Sequence, residues 1–217
     1  MTMYDPVVET LDPREQFKLD RDQYAVQLGY LFKHSAFYQK KLGEAGIHNA
    51  GEAGPLECIA DLPFTEKDEL RRTQAEQPPF GAHLACDQEQ LVRVFSTSGT
   101  TGVPCFIGLT RNDLDMYATN VARGYTAAGF TPAHRLVVGF NAGPFVAGAV
   151  YYGFDKIGCT VAPIGTGNTE RLLTSIQRLS ATGISCTPSY ALHLAEAAQD
   201  MDLDPSVDFK LRTGCPQ

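Results

Sequence analysis

The 217-residue chain predicts an α/β fold: a helical N-terminal section over residues 1–87, then an incomplete, mostly parallel sheet with covering helices over residues 88–217. Three observations predict it. Up to about residue 87, apolar side chains recur at helical spacing between recognisable caps and stops. Beyond that point, short apolar runs alternate with amphipathic stretches, the pattern of strands joined by crossover helices. The composition, 43% hydrophobic and 20% charged, is that of a chain able to bury a core.

The elements follow in order. Asp12-Pro13 reads as an N-cap with proline at the first helical position, and Phe17, Tyr24, Leu28 and Leu31 then share one helix face. Ser35 caps a second helix carrying Phe37, Tyr38 and Leu42, ended by Gly43 and Gly46. Residues 49–64, with Gly51, Gly54, Pro55 and Pro63, read as a loop. Thr65-Glu66-Lys67-Asp68 resembles a capping box opening a helix to about Gln74. Leu91–Phe95 and Cys105–Leu109 read as strands flanking a segment of hydroxyl residues and glycines. A helix capped by Thr110 runs to about Ala128, followed by a buried strand at Arg135–Phe140, a turn at 141–144 and a helix to about Ile157. Strand Thr160–Pro163, a helix capped by Thr169 and running to Ser180, strand Ile184–Thr187 and a helix opened by Pro188 to about Gln199 complete the alternation. Another strand begins near Leu211.

Composition narrows the function. Eighteen Lys and Arg against twenty-five Asp and Glu give a formal charge of −7, which disfavours a nucleic-acid partner. No apolar run approaches the ~18 residues of a membrane helix, so no membrane partner is expected. The opening MTMYDPVVETLDPRE has early acids and no apolar core, unlike a secretory signal, and a cytoplasmic location is expected. Cys58, Cys86, Cys105, Cys159, Cys186 and Cys215 form no CxxC pair and read as free thiols. His34, His48, His83, His134 and His193 show no ligand spacing and read as surface or structural residues. No metal ligand and no catalytic residue is assigned.

The informative segment is Ser96-Thr97-Ser98-Gly99-Thr100-Thr101-Gly102-Val103-Pro104. Phosphate oxygens need several donors in close approach. Glycines admit backbone N–H groups and positive φ, and Ser and Thr add rotatable hydroxyl donors. A phosphate cradle and a solvated linker both fit this composition. A Walker A loop does not, because no lysine follows Gly102.

The string STSGTTGVP resembles the nucleotide-binding loop of the adenylate-forming superfamily, whose form is [ST]SG[ST]TGxP. Around it, Phe37-Tyr38, Leu62-Pro63-Phe64-Thr65, Asn141-Ala142-Gly143-Pro144-Phe145, Gly158-Cys159-Thr160-Val161, Gly167-Asn168-Thr169-Glu170-Arg171 and Thr187-Pro188-Ser189-Tyr190 occur in the order of the phenylacetate–CoA ligase branch. The resemblance spans roughly residues 10 to 211. It implies the sheet of the adenylate-forming N-terminal domain and a two-step reaction: a carboxylate attacks the α-phosphate of ATP to give an acyl-adenylate and pyrophosphate, and the thiol of coenzyme A then attacks the activated carbonyl.

The resemblance also assigns residues. Thr97, Ser98, Thr100 and Thr101 donate to phosphate, with Gly99 and Gly102 permitting close approach. Asn141, Phe145, Gly148, Ser189 and Tyr190 line an acyl pocket, in which Gly143 and Gly148 make room. The lesser alternative for Phe145 and Tyr190 is that they are core aromatics, and residues 167–171 read first as a helix cap. Many relatives in the branch carry lysine where this chain has Val103, so one cation is missing; Arg93 and Arg111 are the candidates to replace it. ATP, Mg²⁺ and coenzyme A are implied for the full-length family enzyme and none is assigned to this chain alone. The adenine-binding turn, the Mg²⁺-binding glutamate, the ribose-binding aspartate and the domain with the catalytic lysine all follow the matched region. The chain is thus expected to be the N-terminal half of such an enzyme, inactive alone. The alternative is a non-catalytic nucleotide- or acyl-binding module. Besides a small carboxylate and ATP, the expected partner is a second copy of the chain or a complementing C-terminal half.

Overall fold

The computed structural model describes residues 2–97, 103–141, 143 and 146–216. The chain divides into two compact units, residues 7–111 and residues 112–217 together with 1–6.

The first unit opens with the short helix α1 (Pro6–Glu9), shared with the boundary, and the long helix α2 (Pro13–His34). Asp12 caps α2 as its sequence predicts, accepting from the Arg14 N–H at 2.8 Å. Ser35, fully buried, caps α3 (Ala36–Glu44) by accepting from the Tyr38 N–H. Gly43 lies inside α3, and Gly46 at φ +80° follows the stop. The expected loop at 49–64 contains a 3₁₀ turn at Leu56–Asp61. Helix α4 (Lys67–Glu76) begins one residue later than the sequence suggests. Its N-cap is Glu66, whose N–H donates to the Glu69 carboxylate at 2.7 Å. Glu69 can reach back three residues, as a capping box requires, whereas Asp68 instead pairs with Arg71 at 2.7 Å. Strands β1 (Leu91–Ser96) and β2 (Phe106–Thr110) pair antiparallel as a separate two-stranded ribbon.

The second unit is a three-layer α/β/α arrangement. Helix α5 (Arg111–Ala127) leads to β3 (Arg135–Val138); α6 (Val150–Ile157) leads to β4 (Thr160–Pro163); α7 (Thr169–Arg178) leads to β5 (Gly183–Cys186); and α8 (Pro188–Asp200) leads through α9 (Pro205–Asp208), a short helix the sequence reading did not contain, to β6 (Thr213–Pro216). The four strands run parallel in the order β4-β3-β5-β6, as the alternation predicts. Successive side chains of β3 point to opposite faces. Leu136 and Val138 join Tyr125 of α5 and Phe154 of α6 in one core, while Val137 joins Leu172 and Ile176 of α7 and Leu194 of α8 in the other. That is why Leu-Val-Val is an unbroken apolar run: a parallel strand is buried on both faces. The cap of α7 is Asn168, which accepts from the Arg171 N–H at 2.7 Å, rather than Thr169. Among the described residues no helix is long and apolar enough to cross a membrane.

Candidate functional site

In the first unit, β1 and β2 carry the two ends of the Ser/Thr/Gly segment. Ser98, Gly99, Thr100, Thr101 and Gly102 lie outside the described residues, but the base of the loop is explicit. The Thr97 N–H donates to the Cys105 carbonyl at 3.0 Å, and the Cys105 N–H donates to the Thr97 hydroxyl oxygen at 3.1 Å. Thr97 therefore closes the loop with its oxygen and keeps its hydroxyl hydrogen available to donate.

Ser96 stands opposite Phe106, next to that hydrogen-bonded pair. Antiparallel ladders alternate, so the N–H and C=O of Phe106 turn outward from β1. The buried side chain of Gln74 takes both: its Oε1 accepts from the Phe106 N–H at 3.0 Å and its Nε2 donates to the Phe106 carbonyl at 2.6 Å. Gln74 thus acts as a one-residue third strand. Gly81 holds the helix end that carries it; at φ +78°, a Cβ on Gly81 would lie 2.9 Å from the Gln74 backbone nitrogen. Nothing in the sequence pattern singles out Gln74, and only the burial of a glutamine near a helix end beside a strand could have signalled it.

Charge at this end comes from α4. Burial pushes the Cys105 thiol above its ordinary pKa, and Arg71 and Lys67 pull it the other way. The Arg71 guanidinium meets Asp68 through one amino group, and its buried Nε has no hydrogen-bond partner among the described residues.

In the second unit, the proposed acyl residues follow the carboxyl ends of strands. Connections from β3 pass to β4 on one side and then to β5 on the other, so the β3/β5 crevice is a topological switch point, where open parallel sheets bind ligands. Asn141 follows β3. It is exposed, and its Oδ1 accepts from the Thr166 N–H at 3.0 Å, fixing the loop after β4. Gly165, at φ +78°, leaves no room for a side chain, since a Cβ would stand 2.7 Å from that same Oδ1. Ser189 and Tyr190 open α8 after β5. The Thr187 hydroxyl caps this helix, accepting from the Tyr190 N–H, and lies 3.3 Å from the exposed Ser189 hydroxyl. The Tyr190 ring packs against the core while its hydroxyl lies 3.5 Å from that of Thr169. Thr169 also lies 3.4 Å from Nε2 of His193, whose ring stacks on Tyr190. Gly148 sits half-buried in the 3₁₀ turn Val146–Ala149 before α6. Phe145 lies outside the described residues. A separate open groove of about 490 Å³ runs along α7 between Asn168 and Leu179 and includes none of the proposed acyl residues.

The described residues hold no group of three or more His, Cys, Asp or Glu side chains able to bind a metal ion. Cys58, Cys86, Cys105, Cys159 and Cys186 are free thiols. Of the histidines, His134 binds Thr131 and Thr213, and His83 binds Thr73 at 2.8 Å.

No protein-family model matches the chain. It is 39% identical over 205 residues to the phenylacetate-coenzyme A ligase of Thermus thermophilus, a match covering 94% of this chain and 44% of that protein. To the phenylacetate-coenzyme A ligase of Pseudomonas putida it is 36% identical over 222 residues, covering 99% of this chain and 49% of the relative. The crystal structure of 2-hydroxyisobutyryl-CoA ligase, in complex with 2-HIB-AMP and CoA in the thioesterification state, superposes with a TM-score of 0.89 at 30% identity, over 95% of this chain and 44% of that one. The resemblance to phenylacetate–CoA ligases holds over nearly the whole chain, which spans about half the length of the curated relatives it matches.

Proposed function

We propose that this chain supplies the ATP-phosphate- and acyl-binding half of an ATP-dependent carboxylate–CoA ligase. One observation supports this above the others: the STSGTTGVP segment is carried between two paired strands, in a chain alike to phenylacetate-coenzyme A ligases from end to end. In this reading the carboxylate oxygen attacks the α-phosphorus of ATP and the bond to pyrophosphate breaks. The thiol of coenzyme A next attacks the acyl carbonyl, and AMP leaves. Thr97, Ser98, Gly99, Thr100, Thr101 and Gly102 offer hydroxyl and amide donors to the phosphates, which stabilise charge most where it develops. Asn141, Phe145, Gly148, Ser189 and Tyr190 receive the acyl group. Mg²⁺ has no ligand cluster among the described residues. The remaining donors come from a complementing C-terminal half or from a second copy of the chain.

The test is ATP–pyrophosphate exchange on the purified chain with a panel of aryl and short-chain carboxylates. Losing a single preorganised contact typically costs ~10²–10³-fold in rate, and this half lacks several. Exchange no higher than in a Ser98→Ala/Thr100→Ala control is expected. Exchange well above that control would show an active site complete within these residues.

A further inference from the structure

We propose that Gln74 is a positioning residue for the phosphate loop; this rests on the reading of residues 96–104 as the nucleotide cradle. A loop that binds by backbone amides works only if its ends are fixed, because the amides must converge before the ligand arrives. One end is fixed by β1 and the paired hydrogen bonds between Thr97 and Cys105. The other leaves the loop at Cys105 and enters β2 at Phe106, whose outward N–H and C=O have no β-strand beside them in the two-stranded ribbon. Gln74 holds both groups and cannot be replaced by a shorter or apolar side chain without leaving a donor and an acceptor unmet. It is itself anchored: its Nε2 also reaches the Phe80 carbonyl at 3.4 Å, and Gly81 packs on its backbone. Arg71, one turn earlier on the same face of α4, bears on the same exit residue. Among the described residues its side-chain hydrogen bonds go to Phe106 and Phe80, so its effect on a ligand acts through the backbone at 105–106.

The experiment measures ATP affinity by calorimetry for the wild-type chain, Gln74→Met, Gln74→Glu and Gly99→Val, each at a temperature where near-ultraviolet circular dichroism shows it folded. Met keeps the volume and loses both hydrogen bonds; Glu keeps an acceptor for the Phe106 N–H. We expect ATP binding to weaken at least tenfold in Gln74→Met and by less in Gln74→Glu. In the ligand-free wild type, the Phe106 amide should already be protected from hydrogen exchange by Gln74, a readout that needs no variant to fold. A folded Gln74→Met that binds ATP within twofold of wild type, while Gly99→Val has lost it, would overturn the positioning role and leave the cradle intact. A Phe106 amide that exchanges without protection in the ligand-free wild type would overturn it as well. Equal binding by wild type and Gly99→Val, or no ATP binding by the wild type, would instead overturn the cradle reading itself, and the positioning role with it.

Discussion

The two units are held together by different physics. In residues 112–217, Phe130, Phe154, Leu136, Leu172, Leu173 and Ile176 are closed off from solvent on the two faces of one sheet. In residues 7–111 fewer of the described positions are buried, and the apolar Leu28, Leu42, Ala53, Phe95 and Cys105 share that interior with the polar Ser35, Gln74 and Ser96, while Val7, Val26 and Phe64 stand largely exposed. This unit relies on directed contacts: helix caps, the Lys41–Glu69 ion pair and the Gln74 clamp. Apolar packing tolerates exchange of one hydrocarbon for another of like volume. A clamp made of two hydrogen bonds does not tolerate loss of either group. The unit carrying the Ser/Thr/Gly segment should therefore be sensitive to single polar changes, and the sheet unit to single changes of volume.

The largest effect expected from this contrast is in the sheet. Phe154→Ala empties a fully buried ring site beside Tyr125 and Tyr151, and chemical denaturation should show a loss of about 3–5 kcal/mol. Gly153→Ala sharpens the point from the opposite direction. Its Cβ would fall 2.3 Å from Val121 Cγ1, and overpacking of this kind costs about 1–3 kcal/mol. Within the same core one polar contact stands out, the 2.7 Å hydrogen bond between the Tyr125 hydroxyl and the buried Ser185. Tyr125→Phe should cost about 1–3 kcal/mol by leaving that serine without its partner, and Tyr125→Phe/Ser185→Ala should recover much of the loss.

In the other unit, Ser35→Ala removes a buried cap and should cost about 1–2 kcal/mol. The smallest effect is a pH dependence. Burial holds the His83 imidazole below its ordinary pKa, and hydrogen bonds from Glu66 and Lys41 hold Glu69 below the usual carboxylate range. Both groups bind protons more readily when unfolded, so stability rises with pH through each titration. Acidification from neutral pH should first weaken this unit as the unfolded histidine protonates, and again as Glu69 does. His83→Gln should remove the first step and leave the second.

The sequence exposed what adjacent residues determine. Asp12, Ser35 and Pro188 mark helix starts because a cap acts on the next two or three amides, and the parallel sheet showed in the alternation from Arg135 to Cys186. The Ser/Thr/Gly segment stood out for the same reason, being one continuous run of small donors. Shifts of one residue, from Thr65 to Glu66 and from Thr169 to Asn168, reflect competition between neighbouring side chains that can each cap. The Gln74 clamp was not readable, because it joins residues 32 positions apart and looks like any polar residue in an amphipathic helix. The link from Asn141 to Thr166 was hidden in the same way: it exists only because β3 and β4 lie side by side and end together.

Residues 96–104 are proposed to cradle the phosphates of ATP, and the decisive measurement is a titration of ATP into the wild-type chain and into Gly99→Val, with folding of both confirmed. Saturable binding by the wild type is expected, with its loss in the variant, where a Cβ blocks close approach of phosphate to the backbone. Undiminished binding by a folded Gly99→Val protein would contradict it.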